Sequence, residues 1–298
     1  MSKCLLAGAV AGIALMAATP AATAQTTVGI PNVPGRTAIT VNTPFMIATT
    51  ANGNEARPGL STVKLYIADF ALRHGDGSAE DRALAESAIR YSDDNAAMRL
   101  YLKYPNSINA MASEYGLTST NGAAHWGNST TSTRDTATFL QAKQNTDPGS
   151  PVLGWMRTAA PVAADGTHQN WGTAHLPGVE GTKWGWSDYG PSVVASASFG
   201  PGFSVAANTY GTADQQTADV LGADLPITNA GADPHSQSLQ SAVIDKTGGY
   251  TVLQDAAAMH IPAEVEVPTA IVDQIASLPA PDILPPELQA ALGSLIGG

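Results

Sequence analysis

The sequence predicts an α/β chain: strands first, helices through the middle, then a hairpin and a closing helix. Three observations carry this. Thr37-Ala-Ile-Thr-Val41 and Phe45-Met-Ile-Ala-Thr-Thr50 are short runs rich in β-branched residues. Segments of helical period, several with capping residues, fill most of 61–158. Ser192-Val-Val-Ala-Ser-Ala-Ser-Phe199 and Phe203-Ser-Val-Ala-Ala-Asn-Thr-Tyr210 alternate about the turn Gly200-Pro-Gly202, which signals a hairpin.

Residues 1–24 read as a secretory signal peptide, with Lys3, the apolar run Leu5 to Ala18, and Ala22-Thr-Ala24 as a small-x-small site. Cleavage is expected after Ala24, which makes the protein secreted or part of the cell envelope. Cys4 is the one cysteine and lies in that segment, so no disulfide or thiolate chemistry is expected of the remainder. Residues 25–36, rich in Pro, Gly and Thr, read as a loose leader. Asn52-Gly53 marks a turn. Pro58-Gly59 marks another, and a mostly apolar helix follows from Ser61 to about His74. Ser78 with Asp81 three residues on resembles an N-cap for a helix over Ala79 to Ile89. Tyr91-Ser-Asp-Asp-Asn95 interrupts it, and helices resume over Ala96 to Lys103 and Ile108 to Tyr115. Residues 117–131 form a polar loop containing His125-Trp-Gly127. Ser132-Thr-Arg-Asp135 caps a helix over Thr136 to Lys143, and Pro151 to Thr158 is helical. After an irregular stretch come Thr182-Lys-Trp-Gly-Trp186, the hairpin, and a helix over Thr212 to Leu221. Residues 223–298 are a C-terminal extension. It holds one further candidate hairpin about Lys246-Thr-Gly248, becomes Pro-rich, and ends in a short apolar helix, Glu287 to Ile296.

The net charge is −11, which suits neither a nucleic-acid backbone nor an anionic membrane surface. No apolar stretch is long enough to span a bilayer. No Gly-rich phosphate loop, dinucleotide fingerprint or Gly-x-Ser-x-Gly elbow is present, and no cofactor is expected. His168 and His175 lack a His-Glu-x-x-His pattern, so no metal site is expected. Nothing in the sequence fixes an oligomeric state.

Lys64 sits in the first turn of an apolar helix, where an isolated ammonium is costly. Ser61 lies three residues earlier on the same helical face. A desolvated lysine gives up its proton more readily and can act as base toward a serine. The alternative is an ordinary N-cap serine with a lysine reaching solvent.

In chain order stand Ser61-Thr-Val-Lys64, Ser92-Asp-Asp94 and Lys183-Trp-Gly185. This order resembles the Ser-x-x-Lys, Ser-Asp-Asn and Lys-Thr-Gly signatures of penicillin-binding proteins and class A β-lactamases. Ile89-Arg-Tyr-Ser-Asp-Asp-Asn-Ala-Ala97, Thr131-Ser-Thr-Arg-Asp135, Trp155-Met156 and Leu176-Pro177 also recur in family order, so the resemblance covers roughly 37–222. It implies a β-lactamase/transpeptidase-like α/β fold, an antiparallel sheet flanked by helices plus a small all-helical lobe. It also implies catalytic roles: Ser61 as acylated nucleophile, Lys64 as base, Ser92 as proton relay, and Lys183 beside it favouring the negative end of the substrate. Backbone N–H groups of Ser61 and Ser187 would form the oxyanion hole, and Asp94, Asn95, Trp184 and Gly185 would border the substrate. The implied ligand is a β-lactam or a peptidoglycan-like acyl-D-Ala peptide.

This sequence departs from that pattern in three places. Asp94 stands where the family has Asn, and an ionised carboxylate only accepts hydrogen bonds. Asn95 replaces it only if the loop shifts by one residue. Trp184 replaces a hydroxyl residue. The Glu-x-x-x-Asn loop that positions the deacylating water in class A β-lactamases is absent, so slow deacylation is expected. Lys246-Thr-Gly248 is a literal match to the third signature. Lys183 is preferred because two strands and a helix follow it. Two readings stand: a serine acyl-enzyme hydrolase, or an inactive relative that binds a wall fragment or a protein partner.

Overall fold

The computed structural model describes residues 25–227 and the short segments 250–254 and 257–261. The expected signal segment with Cys4, the Lys246-Thr-Gly248 motif and the terminal helix over 287–296 lie outside the described residues.

Strands β1 (Thr26–Gly29), β2 (Thr37–Asn42) and β3 (Met46–Thr49) open the body. The short β4 (Arg57–Pro58) leads into a 3-10 turn, Leu60–Val63. Helices α1 (Lys64–His74), α2 (Ala79–Arg90), α3 (Asp94–Lys103) and α4 (Ser107–Tyr115) follow. Then come β5 (Thr130–Thr131), α5 (Thr133–Thr146) and α6 (Pro151–Arg157). Strands β6 (Gly181–Trp186), β7 (Val193–Gly200) and β8 (Phe203–Tyr210) and helix α7 (Ala213–Leu221) close it.

The sheet runs in the order β1-β3-β2-β8-β7-β6. All neighbours are antiparallel except β1 and β3, which pair in parallel with Thr26 opposite Met46. The expectation of a loose leader over 25–36 is therefore corrected. Thr26–Gly29 extends the sheet, and Ile30 is buried with Ile39, Val41 and Val205. The main body also continues past residue 222, because Ile227 packs in the same cluster. The hairpin expected about Lys246 lies largely outside the described residues; within them β9 (Tyr250–Gln254) pairs with β10 (Ala257–Ile261).

Both sheet faces are covered. Phe199, Ala197 and Ala206 join α1, α5 and α6 residues in one core, which extends through α2, α3 and α4. Val41, Val205 and Phe203 meet Val220 of α7 on the opposite face. Caps expected from the sequence are formed: Ser78 accepts from Asp81 N, and Ser132 from Asp135 N. Each such cap stabilises a helix by about 1 kcal/mol. Thr212 and Gln215 make a reciprocal capping box on α7. The buried ion pair of Lys143 and Asp69, at 2.8 Å, ties α5 to α1. Among the described residues no helix is long and apolar enough to cross a membrane.

Candidate active site

Ser61 does not cap a helix. It lies inside the 3-10 turn that precedes α1, and its carbonyl accepts from Lys64 N. Leu60, the residue before it, adopts φ +51°, a left-handed conformation that costs a bulky L-residue about 1–2 kcal/mol. The surrounding packing holds it there. Gly185 of β6 comes so close that a Cβ on it would lie 2.8 Å from both Leu60 Cβ and Ser61 N. Only a glycine lets the strand approach the serine to this depth.

Lys64 is fully buried and does not reach solvent, which excludes the alternative of an exposed side chain. Its Nζ donates to Ser92 O at 2.6 Å and to Asp94 Oδ1 at 2.5 Å, stands 3.4 Å from Ser92 Oγ, and lies 4.7 Å over the Trp126 ring. Ser92 has φ +52°, and Asp93 fixes the turn by capping α3 through Asn95 N and Ala96 N. Lys183, also fully buried, donates to Ser92 Oγ at 2.7 Å and to Trp184 O at 3.1 Å. Ser92 Oγ thus bridges two amines.

Burial pulls the Lys64 ammonium below its ordinary pKa, and Asp94, Asp93 and Asp165 oppose that pull. Lys183 lies further below, first from burial and then from the charge of Lys64, with no carboxylate in contact. Asp94 thus favours a charged Lys64, while Lys183 has no such partner and burial favours its neutral form. Ser92 Oγ can accept from one amine and donate to the other, which is the geometry of a proton relay.

Ser61 lines a cavity of about 440 Å³ with Leu60, Asp94, His125, Trp126, Trp186 and Asp188. Ser61 Oγ makes no hydrogen bond to Lys64, Ser92 or Lys183 among the described residues, so three of the four expected catalytic groups converge and the serine faces the cavity. Asp94, not Asn95, lines it, so the loop has not shifted. Trp184 is corrected as a cleft residue: it is buried against Trp171 and Val194, with Nε1 donating to Trp171 O at 3.0 Å. Ser187 lines the cavity, but its N–H donates to Val193 O at 2.9 Å and is not free for an oxyanion. Alternation along an antiparallel strand then turns the N–H of Trp186 to the open edge of β6, beside Ser61. The expected donor on this strand is corrected: Ser187 N–H is taken, and Trp186 N–H is the one turned to the open edge.

Several site residues escaped the sequence reading. Trp126 shields Lys64 on the side of the 117–131 loop, and His125 Nδ1 accepts from Gly127 N at 3.0 Å. Asp165 accepts from Trp186 Nε1 at 3.2 Å. Their separation from the motifs left no local signal beyond an unusual number of tryptophans. Among the described residues no cluster of three or more His, Asp or Glu forms a metal-ligand set.

No protein-family model and no curated protein matches the chain. Among solved structures it is similar to a penicillin-binding protein from Listeria monocytogenes in its cefotaxime-bound form. That match has 18% identity and a TM-score of 0.49 over 64% of this chain and 97% of that one. It is also similar to a D-alanyl-D-alanine carboxypeptidase from Mycobacterium tuberculosis, with 20% identity and a TM-score of 0.47, over 69% and 94% of the two chains. A class A β-lactamase from Mycobacterium abscessus gives 15% identity and 0.48, over 64% and 91%. These are the groups whose motif order the sequence resembles. What the site can do is read from its own side chains.

Proposed function

We propose that the chain is an exported serine acyl-enzyme hydrolase acting on β-lactams or cell-wall acyl-D-Ala peptides, with slow deacylation. The observation that carries this is Ser92 Oγ held between the amines of Lys64 and Lys183, beside the cavity that Ser61 lines. Ser61 Oγ attacks the acyl carbonyl, and its proton passes to a neutral lysine amine, directly or through Ser92. The N–H groups of Ser61 and Trp186 receive the developing oxyanion. The leaving nitrogen takes a proton from Ser92 Oγ, which is replenished from a lysine. Cleavage of the acyl-enzyme needs an activated water. Where the 117–131 loop meets Lys64 it presents the Trp126 ring, which can neither accept nor deliver a proton. His125 Nδ1 is occupied as a cap. No side chain of this loop is placed to activate that water, which supports slow deacylation. The basic and apolar segment at 1–24 supports export.

A second reading, a binding protein without turnover, is favoured by Lys64 being engaged by Asp94 instead of Ser61. Intact mass after incubation with penicillins and an activated ester separates the two. A stoichiometric adduct, absent in Ser61→Ala and decaying slowly, is the expected result. The lack of any adduct would sink the hydrolase reading.

A further inference from the structure

We infer that this cavity selects acyl donors that carry an ammonium group. Three observations point there. First, among the described residues that line the cavity there is no arginine or lysine, while Asp94 and Asp188 both face it. Asp165 stands behind Trp186, so three carboxylates surround the two buried lysines. Asp94 offsets the charge of Lys64, and burial disfavours a charge on Lys183, so the carboxylates outnumber the ammoniums. The field that reaches a ligand is therefore negative. Second, Trp186 and Tyr189 line the same space, and aromatic faces attract cations. Third, the cavity holds a polar group without a partner: Ser61 is 7% exposed and its Oγ makes no hydrogen bond to a described residue, which leaves it for a ligand to satisfy. The crowding of Asp188 agrees: burial and then the charges of Asp94 and Asp165 push its carboxyl up. A cation placed there relieves this repulsion.

For turnover the inference rests on Ser61 being the nucleophile; for binding it does not. The test uses ampicillin, benzylpenicillin and carbenicillin, whose phenylacetyl-type side chains differ at one carbon, bearing an ammonium, hydrogen or a carboxylate. At about pH 6 the ampicillin amine is charged. Two readouts are taken: the rate of mass increase on the wild-type chain, and tryptophan quenching on Ser61→Ala at equilibrium. The expected order is ampicillin, benzylpenicillin, carbenicillin, with about tenfold between steps at low salt and less as salt is added. Asp188→Asn, a change on an exposed loop, should compress the series severalfold. A flat or reversed order, no binding, or a series unmoved by Asp188→Asn overturns the inference. If the order holds in binding while no penicillin acylates the wild type, the nucleophile reading fails alone. If acylation proceeds with a flat order, the charge selection fails alone.

Discussion

Asp94 is the residue on which the chemistry turns. It replaces an amide donor with an acceptor, and its carboxylate engages the amine expected to serve as base. Its charge and hydrogen bond raise the Lys64 pKa against the pull of burial, and its charge also raises that of Lys183. Asp94→Asn removes both supports, so both amines lose their protons at lower pH. The rising limb of acylation rate against pH should move to lower pH, and the rate at neutral pH should increase severalfold. The pH profile of adduct formation checks this; an unmoved limb would show that neither lysine takes the serine proton.

At the scale of elements, the site is a contact between the 3-10 turn over 60–63 and the edge strand β6. Gly185 sets how close they come. Gly185→Ala places a methyl 2.8 Å from both Leu60 Cβ and Ser61 N, and Ser61 N is backbone that cannot turn aside. The strand must withdraw, which carries the Trp186 N–H away from the oxyanion. Loss of one oxyanion donor costs about 100-fold in rate or more. Acylation measured by mass should fall by about that factor while far-ultraviolet circular dichroism is unchanged. A variant that acylates normally would place the second donor elsewhere.

At the scale of the whole molecule, two buried lysines cost stability for the sake of the site. Lys183 has its folded pKa below the 10.5 of the free side chain, so between those values the unfolded chain binds more protons. Stability from this group rises with pH across that window. Lys64 adds a contribution of the same sign. Tyr66, fully buried and pushed up to about 12, sets the upper limit: above pH 10 the unfolded chain loses that proton first and stability falls. Lys183→Met should therefore raise the urea midpoint at pH 7 and reduce its increase between about pH 7 and pH 9.5. It should also abolish acylation. A midpoint that falls equally at every pH would mean that Lys183 holds the fold together.

Much of this was legible in the sequence. The helices over 64–115, the hairpin of β7 and β8, and the caps Ser78 and Ser132 follow from periods and capping chemistry that act over a few residues. Ser61, Lys64, Ser92 and Lys183 were legible for the same reason, since each sits in a short motif and their order is fixed. Other features required the tertiary structure. Trp184 and Trp186 are two residues apart and both pack against Trp171, yet only Trp186 also lines the cavity. Which N–H of β6 is free depends on its register with β7, and a shift of one residue exchanges Ser187 for Trp186. The parallel docking of Thr26–Gly29 is a pairing across the sheet that its Pro- and Gly-rich surroundings conceal. Asp94 stands at the start of α3 and Asp165 and Asp188 on two separate loops, so the negative field over the serine arises only when the fold brings them together. Local chemistry set which residues can react; long-range packing decided which way they face and what charge surrounds them.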